Sequence, residues 1–174
     1  MNLYLRLLLL LLRLRWVPRR GVLDAARLSF RVWPNDCDFN MHMNNGRYLT
    51  FMDLGRLHLI AQAGLLGALW RRRWSPVLAA AEISYVRPLL PLQRFDLETR
   101  ILSWDEKYFY LEQRFFAHGH VCAHALVKGL FVGRSGKVAT AQALAEIGVD
   151  MAAPAMGEEL RLWSELVNVK KQKH

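Results

Sequence analysis

The chain is poor in cysteine and in acidic residues, and each shortage excludes a class of protein. Cys37 and Cys122 are the only cysteines among 174 residues, so a disulfide framework and a C-x-x-C zinc site are both excluded. This content is typical of a reducing compartment, and we expect a cytoplasmic protein. The 15 acidic residues are outnumbered by 24 lysines and arginines, which gives a formal charge of +9. The charge favours an anionic partner or a generic positive surface potential.

Three separate basic clusters account for the excess of positive charge, at residues 13–20, 71–73 and 170–173. These clusters do not combine with aromatic residues into a recognisable surface for reading nucleic acid. We therefore predict no nucleic-acid partner. A membrane surface and a phosphorylated small molecule such as coenzyme A remain as candidate anionic partners.

The first twenty residues form an apolar segment, which we separate from a single domain at residues 21–174. Leucine dominates this segment, and neither the early basic region nor the small-residue cleavage site of a secretory signal is visible. A helix over residues 1–17 would span about 25 Å, less than the ~30 Å hydrocarbon core of a bilayer. Arg6 and Arg13 would share one face of that helix. The segment is therefore predicted to lie in a membrane interface, or else to dock on the protein or on a partner subunit.

The pattern of apolar residues predicts an α+β fold. Apolar side chains cover nearly every face between Asn44 and Gly64, which indicates a long buried helix. A final helix is predicted over residues 158–169. Strand-like patterns cover five segments, at residues 27–33, 76–87, 94–103, 108–117 and 121–132. We expect one curved antiparallel sheet, with its last four strands joined by hairpins, to wrap around the long helix.

The loop from Asp36 to Tyr48 carries the densest group of reactive side chains in the chain. It contains two carboxylates, a thiol, an imidazole and several carboxamides, and it leads directly into the long helix. The N-terminus of a helix has unpaired N–H groups and a positive dipole end, which suit a developing negative charge. An acidic group just upstream can supply a base or a nucleophile. This arrangement predicts an active-site loop.

The chain resembles the hotdog-fold thioesterases of the 4-hydroxybenzoyl-CoA thioesterase type over roughly residues 27–135. The resemblance rests on the predicted order of strands and helix and on the motif at the start of the helix, Asp38-x-x-x-His42-x-Asn44-Asn45-x-x-Tyr48. A closer likeness, to thioesterase superfamily member six proteins, rests on three segments, residues 42–49, 101–105 and 109–112. One departure is Met41, where many members of the family have glycine. The resemblance implies a hotdog fold, acyl-CoA thioesterase activity, no cofactor or metal, and a homodimer or a dimer of dimers. Relatives with an apolar N-terminal segment also favour membrane association.

The resemblance assigns the two catalytic positions. It implies that Asp38 is the catalytic carboxylate and that the backbone N–H of Asn45 donates to the thioester carbonyl. Asp38 could attack the thioester directly or deprotonate a water molecule, and the residues leave both routes open. A helix-cap or turn role is the structural alternative for Asp38.

Four further residues are predicted to bind substrate: His42, Asn44, Tyr48 and Arg87. His42 would either orient the loop or contact the thioester, and Asn44 would either cap the helix or contact substrate. Tyr48 would pack with its hydroxyl near the pocket. Arg87 would meet the phosphates of coenzyme A, with residues 71–73 as further candidates. The functional alternative is a catalytically weak acyl-CoA-binding or lipid-binding protein attached to a membrane.

Three competing interpretations are weaker. A Cys37 nucleophile activated by His42 would lack a third orienting group. His118, His120 and His124 share strand parity, but a glycine among them indicates a turn rather than a metal site. The hydratase branch of the hotdog fold needs Asn-Pro between its aspartate and histidine, and residues 39–41 are Phe-Asn-Met.

Overall fold

The computed structural model describes residues 3–14 and 16–172. Its helices are α1 (Leu3–Leu14), α2 (Asn45–Gln62), α3 (Leu66–Arg72), α4 (Thr140–Ala145) and α5 (Glu158–Gln172), and a short 3₁₀ turn covers Pro34–Asp36. Its strands are β1 (Ala26–Arg31), β2 (Ser75–Tyr85), β3 (Arg94–Trp104), β4 (Phe109–Ala117), β5 (His120–Gly133) and β6 (Gly136–Val138). The predicted long helix, the five strands and the final helix are all present, with bounds shifted by a few residues.

The strands form one antiparallel sheet in the order β1-β3-β4-β5-β2, and β6 pairs with the end of β5. The prediction that hairpins join all of the last four strands is wrong for β2 and β3. Strand β2 lies beside β5 at one edge of the sheet, with Ile83 opposite Ala125. The chain then crosses to the other side through residues 86–93. Proline at positions 88 and 91 prevents that segment from continuing the ladder of β2.

Helix α2 lies on the concave face of the sheet. Phe51 packs edge-on against Phe95 of β3, with ring centroids 5.0 Å apart. A Cβ atom at Gly55 would lie 2.6 Å from the hydroxyl of Thr99, so glycine is needed for the close approach of helix and sheet. One side of α2 packs on the sheet, another contacts α1, and a third lines the cavity described below. Apolar residues are therefore stable on almost all of its faces.

The convex face of the sheet is covered by α5. Leu160, Trp163 and Val167 of this helix pack on Tyr110 and Leu126 of the sheet. The start of α5 is acidic and its end is basic, as the helix dipole favours. Helices α2 and α5 thus pack on opposite faces of the sheet, whereas the side chains of β2 remain largely exposed.

Three short elements were not predicted from the sequence: α3, α4 and β6. The glycines at positions 64 and 67 are unfavourable in a helix, yet α3 forms because Leu65, Ala68 and Leu69 bury one side of it. Helix α4 is only six residues long, which is too short for a periodic pattern to identify.

Helix α1 packs on α2, and one of its faces is buried while the other is exposed. The buried face includes Arg6 and Leu10. The exposed face carries most of the remaining leucines, namely Leu5, Leu8, Leu9, Leu11 and Leu12. Within the described part of the chain, no helix is both long enough and apolar enough to cross a membrane.

Candidate active site

The candidate loop is anchored by Asp36, whose side chain is only 1% exposed. The Asp36 carboxylate accepts a hydrogen bond from the backbone N–H of Trp33 at 2.9 Å, which closes the 3₁₀ turn. It also accepts two hydrogen bonds from the guanidinium of Arg6, at 2.5 and 3.0 Å. Arg47, in the first turn of α2, lies 3.8 Å from the same carboxylate. Asp36 is thus engaged in holding the loop and in closing its first turn.

Arg6 lies on the side of α1 that docks on the protein, which is one of the placements that the sequence left open for this segment. Its side chain is 3% exposed, and its guanidinium also lies 4.5 Å from the centre of the Phe51 ring. One of its N–H groups donates to the backbone oxygen of Arg31 at 3.3 Å. Arginine forms such planar, multiply hydrogen-bonded contacts better than lysine does. In the sequence this role is visible only as a charge inside a leucine run, which is compatible with a membrane interface and with docking on the protein.

Asp38 lies in the following turn, with its side chain 17% exposed. One carboxylate oxygen accepts a hydrogen bond from the N–H of Asn40 at 2.9 Å. The same oxygen lies 3.7 Å from Nδ1 of His42, and the Asp38 N–H donates to the His42 carbonyl at 3.1 Å. His42 therefore lies where it can orient Asp38, and both side chains remain partly accessible to a substrate.

The backbone at Met41 explains why a glycine would suit this position. Met41 has a φ of 59°, in the left-handed region that favours glycine. A non-glycine residue in this conformation costs roughly 1–2 kcal/mol. The loop still closes, because the Met41 N–H donates to the Asp38 carbonyl at 3.1 Å and Met43 donates to Leu89 at 2.7 Å.

Helix α2 begins beside Asp38. Asn44 is its N-cap, and the Asn44 side-chain oxygen accepts a hydrogen bond from the N–H of Gly46 at 2.9 Å. Of the two roles predicted for Asn44, capping is thus present in the structure. Asn45 is the first helical residue, so its N–H belongs to the group that has no intrahelical acceptor. The hydroxyl of Tyr85 donates to the Asn45 carbonyl at 3.2 Å, which joins the end of β2 to this site.

The two remaining predicted substrate-binding residues lie at different depths. Tyr48 is buried, and its ring packs edge-on against Tyr85 and Phe115 at centroid distances of 5.0 and 4.9 Å. Burial raises the pKa of Tyr48 to about 12. Arg87 is exposed just beyond β2 and donates to the carbonyl of Val121 at 3.1 Å. The structure thus brings Asp38 and the start of α2 together, with Arg87 on an adjoining segment and Tyr48 below the surface.

Cys37 has the wrong electrostatic surroundings for a nucleophile. Burial, together with the neighbouring carboxylates of Asp36 and Asp38, raises the pKa of the Cys37 thiol. A reactive cysteine needs the opposite shift, because the thiolate is the nucleophile. In the described residues no group of three histidine, cysteine or acidic side chains is positioned to hold a metal ion. His124 contacts the carboxylate of Glu112 at 2.9 Å.

A cavity of about 220 Å³ lies farther along α2, between the C-terminal half of this helix, the sheet and α4. Its lining is aliphatic and aromatic apart from Asp53, Arg56 and Thr140. Asp53 and Arg56 form an ion pair. Asp53 lies eight positions after Asn45 on the helix, which corresponds to about 12 Å. The candidate loop and the cavity are therefore distinct regions of the chain.

A buried polar network at the middle of α2 was also missed. Gln113 is fully buried on β4 and accepts a hydrogen bond from Arg56 at 2.8 Å. It donates to the hydroxyl of Thr99 at 2.8 Å and to the carbonyl of Met52 at 3.0 Å. The available signal was a glutamine at a position that shares the inward parity of its apolar neighbours on β4. The network fixes α2 to the sheet near the cavity.

Comparisons with known proteins agree with this architecture. The sequence model described as the thioesterase-like superfamily matches residues 32–163. Protein THEM6 of Danio rerio is 36% identical over 157 residues, which cover 89% of this chain and 76% of the relative. The chain therefore belongs to the thioesterase-like superfamily and, within it, to the THEM6 family.

Two solved structures show the fold. A gentisyl-coenzyme A thioesterase has a TM-score of 0.63 and 21% identity, covering 69% of this chain and 99% of its own. A Staphylococcus aureus protein in complex with CoA has a TM-score of 0.63 and 14% identity, covering 74% and 84%. These likenesses confirm the predicted α+β hotdog fold.

Proposed function

We propose that this protein is an acyl-CoA thioesterase whose catalytic groups are the carboxylate of Asp38 and the backbone N–H of Asn45. The observation that carries the proposal is their common location. A partly exposed carboxylate lies in the turn that leads directly into the N-terminus of α2. Membership of the thioesterase-like superfamily, and the coenzyme A thioester named for one relative of the same fold, support the reaction class.

Each group answers a requirement of the reaction. As a nucleophile adds to the thioester carbon, negative charge develops on the carbonyl oxygen. The N–H of Asn45 and the positive end of α2 stabilise that charge, and loss of one such donor typically costs about 3–4 kcal/mol in the barrier. Asp38 either adds to the carbon itself and expels the coenzyme A thiolate, which gives a mixed anhydride that water then hydrolyses, or removes a proton from a water molecule whose attack expels the same thiolate. In both routes the C–S bond breaks and the thiolate takes up a proton to leave as free coenzyme A. The His42 ring lies 3.7 Å from the Asp38 carboxylate in the free protein.

The proposed coenzyme A site uses the positive charge beside the loop. Arg87 lies on the segment that follows β2, and Tyr85 of that strand is hydrogen-bonded to Asn45. An arginine at this border can pair with phosphate oxygens. The thioester would lie at Asn45, with Asn44 shaping the same helix end and Tyr48 forming the floor beneath it.

The proposed assembly is a homodimer, or a dimer of dimers, that pairs through β2. This strand is an edge of the sheet over eleven residues, and a long exposed edge is a ready template for a second strand. Val77 and Leu78 expose apolar side chains there and also border the cavity. A second copy would cover this edge in a symmetric contact.

The test is hydrolysis of short-chain, long-chain and aromatic acyl-CoA by the wild type beside Asp38→Asn. We expect Asp38→Asn to lose turnover by orders of magnitude while the fold and acyl-CoA binding persist. The matched control is Asp150→Asn, because Asp150 is an exposed aspartate outside the loop. Single turnover in heavy-oxygen water tests for the anhydride: label recovered in the Asp38 carboxylate shows that Asp38 was the nucleophile, whereas the general-base route puts all the label in the free acid.

Two results would contradict the proposal. Full turnover in Asp38→Asn would remove Asp38 from the chemistry. A folded wild type that binds acyl-CoA without hydrolysing any member of the panel would favour the lipid-binding or acyl-CoA-binding alternative. Sedimentation equilibrium on the same preparations measures the assembly, and a fully active monomer would refute the dimer.

We further propose that α1 attaches the protein peripherally to a membrane surface. The buried side of α1 is fixed by Arg6, so its exposed leucines form a stable outward apolar face. Such a face, with Arg13 at its end, suits the interface of an anionic bilayer. Deleting residues 1–17 would also remove Arg6, so substitution of the exposed leucines is the cleaner test.

We expect the wild type to sediment with vesicles containing phosphatidylserine, and Leu8→Ser/Leu12→Ser to remain in solution. Leu162→Ser/Leu166→Ser is the matched control, because these two leucines are similarly exposed on α5. Undiminished sedimentation of the α1 variant would refute the attachment.

A further inference from the structure

Helix α3 ends in an exposed aromatic and basic surface, formed by Trp70 and the arginines at positions 71–73, which we call the α3 patch. Trp70 is 87% exposed, although a tryptophan usually buries most of its large apolar surface. Arg71 and Arg72 both reach the carboxylate of Glu146, at 3.8 and 2.7 Å. Because two of its arginines share one acid, the α3 patch keeps a net positive charge.

An apolar groove of about 620 Å³ lies beside the α3 patch. Trp70 and Trp74 line this groove, together with leucines of α3. Its wall also contains Leu57, Ile60 and Pro76, which line the cavity beside α2 as well. The groove and the cavity are therefore adjacent.

The α3 patch follows the end of α2 that the basic residues after α1 also reach. Helix α1 contacts the N-terminal half of α2 through Arg6, and the chain reaches the end of α2 at Arg20, whose N–H donates to the Gln62 carbonyl at 3.0 Å. A Cβ atom at Gly64 would lie 3.3 Å from Nε of Arg19, and α3 begins two residues after that glycine. The basic residues after α1 and the start of α3 are therefore neighbours.

The chemistry of this surface fits an anionic bilayer better than a soluble anion. Arginine side chains pair with phosphate oxygens, and anionic headgroups attract basic clusters. Tryptophan is enriched at the boundary between headgroups and acyl chains, because its ring is apolar and its N–H is polar. A soluble anion would use the arginines but would leave Trp70 and the groove exposed to water.

We propose that the α3 patch is a second contact with an anionic bilayer, in which the Trp70 ring enters the interface and the arginines pair with lipid phosphates. This contact deepens the proposed attachment through α1 and rests on it for the orientation of the chain. The groove then faces the bilayer, and the wall that it shares with the cavity lies next to the acyl chains. The α3 patch is separate from the proposed coenzyme A site, because α2 rises about 26 Å over the seventeen positions from Asn45 to Gln62.

The first test measures sedimentation at low salt with phosphatidylcholine vesicles that contain or lack phosphatidylserine. We expect Arg71→Gln/Arg73→Gln to weaken binding to the anionic vesicles by roughly twentyfold, since each arginine near such a surface contributes about fivefold. The matched control is Arg27→Gln/Arg161→Gln, because these two arginines are similarly exposed and each is paired with an acid. We expect the control to bind almost like the wild type.

The second test locates Trp70 itself. Vesicles with brominated acyl chains quench the fluorescence of a tryptophan that enters the bilayer. At saturating vesicle concentration we expect Trp70→Phe to lose part of the quenching that the wild type shows. Trp163→Phe should lose none, because Trp163 is buried beneath α5. Thermal melting shows that each comparison is made on folded protein.

The outcomes separate this contact from the proposed attachment through α1. Wild-type affinity in Arg71→Gln/Arg73→Gln, or unchanged quenching in Trp70→Phe, would overturn the α3 contact even if Leu8→Ser/Leu12→Ser no longer binds. Weakened binding in the α3 variants alone would support the α3 contact and contradict the attachment through α1. A wild type that binds no vesicles would overturn both.

Two further readouts complete the test. Dissociation of the assembly by Arg71→Gln/Arg73→Gln without vesicles, measured by sedimentation equilibrium, would assign the α3 patch to a second copy and overturn the proposal. None of the vesicle measurements requires hydrolysis, so failure of the proposed thioesterase activity would leave their result unchanged.

Discussion

The two ends of α2 differ in how their polar groups are satisfied. At the N-terminal end, Asp36 is buried against Arg6 and Trp33, and the partly exposed Asp38 accepts a hydrogen bond from the N–H of Asn40, with the His42 ring 3.7 Å away. Beside the C-terminal half lies a cavity whose wall is almost entirely apolar. The N-terminal end of α2 is polar and hydrogen-bonded, and the C-terminal half borders an apolar cavity.

The difference indicates a division of labour along one helix. Stabilising a developing charge requires groups that are already oriented, which the anchored loop provides. Binding an apolar chain requires volume and an apolar wall, which the cavity provides. Substitutions at the two ends should therefore alter different properties, turnover at one and chain selection at the other.

The largest effect is expected from Arg6→Met, which breaks the anchor of the loop. Removing one partner of a buried ion pair leaves the other charge uncompensated and costs about 3–5 kcal/mol. Displacement of the loop should also lower kcat, by up to about a hundredfold, without changing the preferred acyl chain. Urea unfolding measures the loss of stability. The acyl-CoA panel, run under conditions where the variant is folded, measures kcat and the preferred acyl chain.

Two further variants control this prediction. Arg13→Met changes an exposed arginine on the same helix, and we expect almost no loss of stability. Arg6→Met/Asp36→Asn removes both charges and should recover part of the loss, because no buried charge is left unpaired. A free energy of unfolding unchanged in Arg6→Met would show that the pair does not anchor the loop.

A smaller effect is expected from Leu144→Ala at the other end. Leu144 is buried in the wall of the cavity, and truncating such a leucine costs about 2–5 kcal/mol. The enlarged space should shift hydrolysis towards longer chains while kcat for the best substrate is kept. The readouts are urea unfolding and the kcat/KM profile across chain lengths. Leu162→Ala, on the exposed side of α5, is the control. An unchanged chain-length profile in Leu144→Ala would show that the acyl chain does not bind in this cavity.

Much of the fold was predictable because periodic patterns are local. The apolar positions of α2 and the alternation of β3 depend on neighbours in sequence, so their bounds were predicted within a few residues. The crossing from β2 to β3 was not predictable in this way. Which edge of the sheet β2 occupies depends on pairing with β5, whose partner residues are 38 to 57 positions away in the chain. Short elements such as α4 carry too few residues for a pattern to show.

The candidate site shows the same difference between features of one short segment and contacts between distant segments. The residue types at Asp38, His42 and Asn44 and their closeness to a helix start are properties of one short segment, and the sequence by itself determined them. Only the tertiary structure decided that Arg6 turns inward to Asp36, thirty positions away, and that an apolar cavity forms between the C-terminal half of α2 and the sheet. The physical reason is that burial and pairing depend on where distant segments meet, which local sequence does not encode.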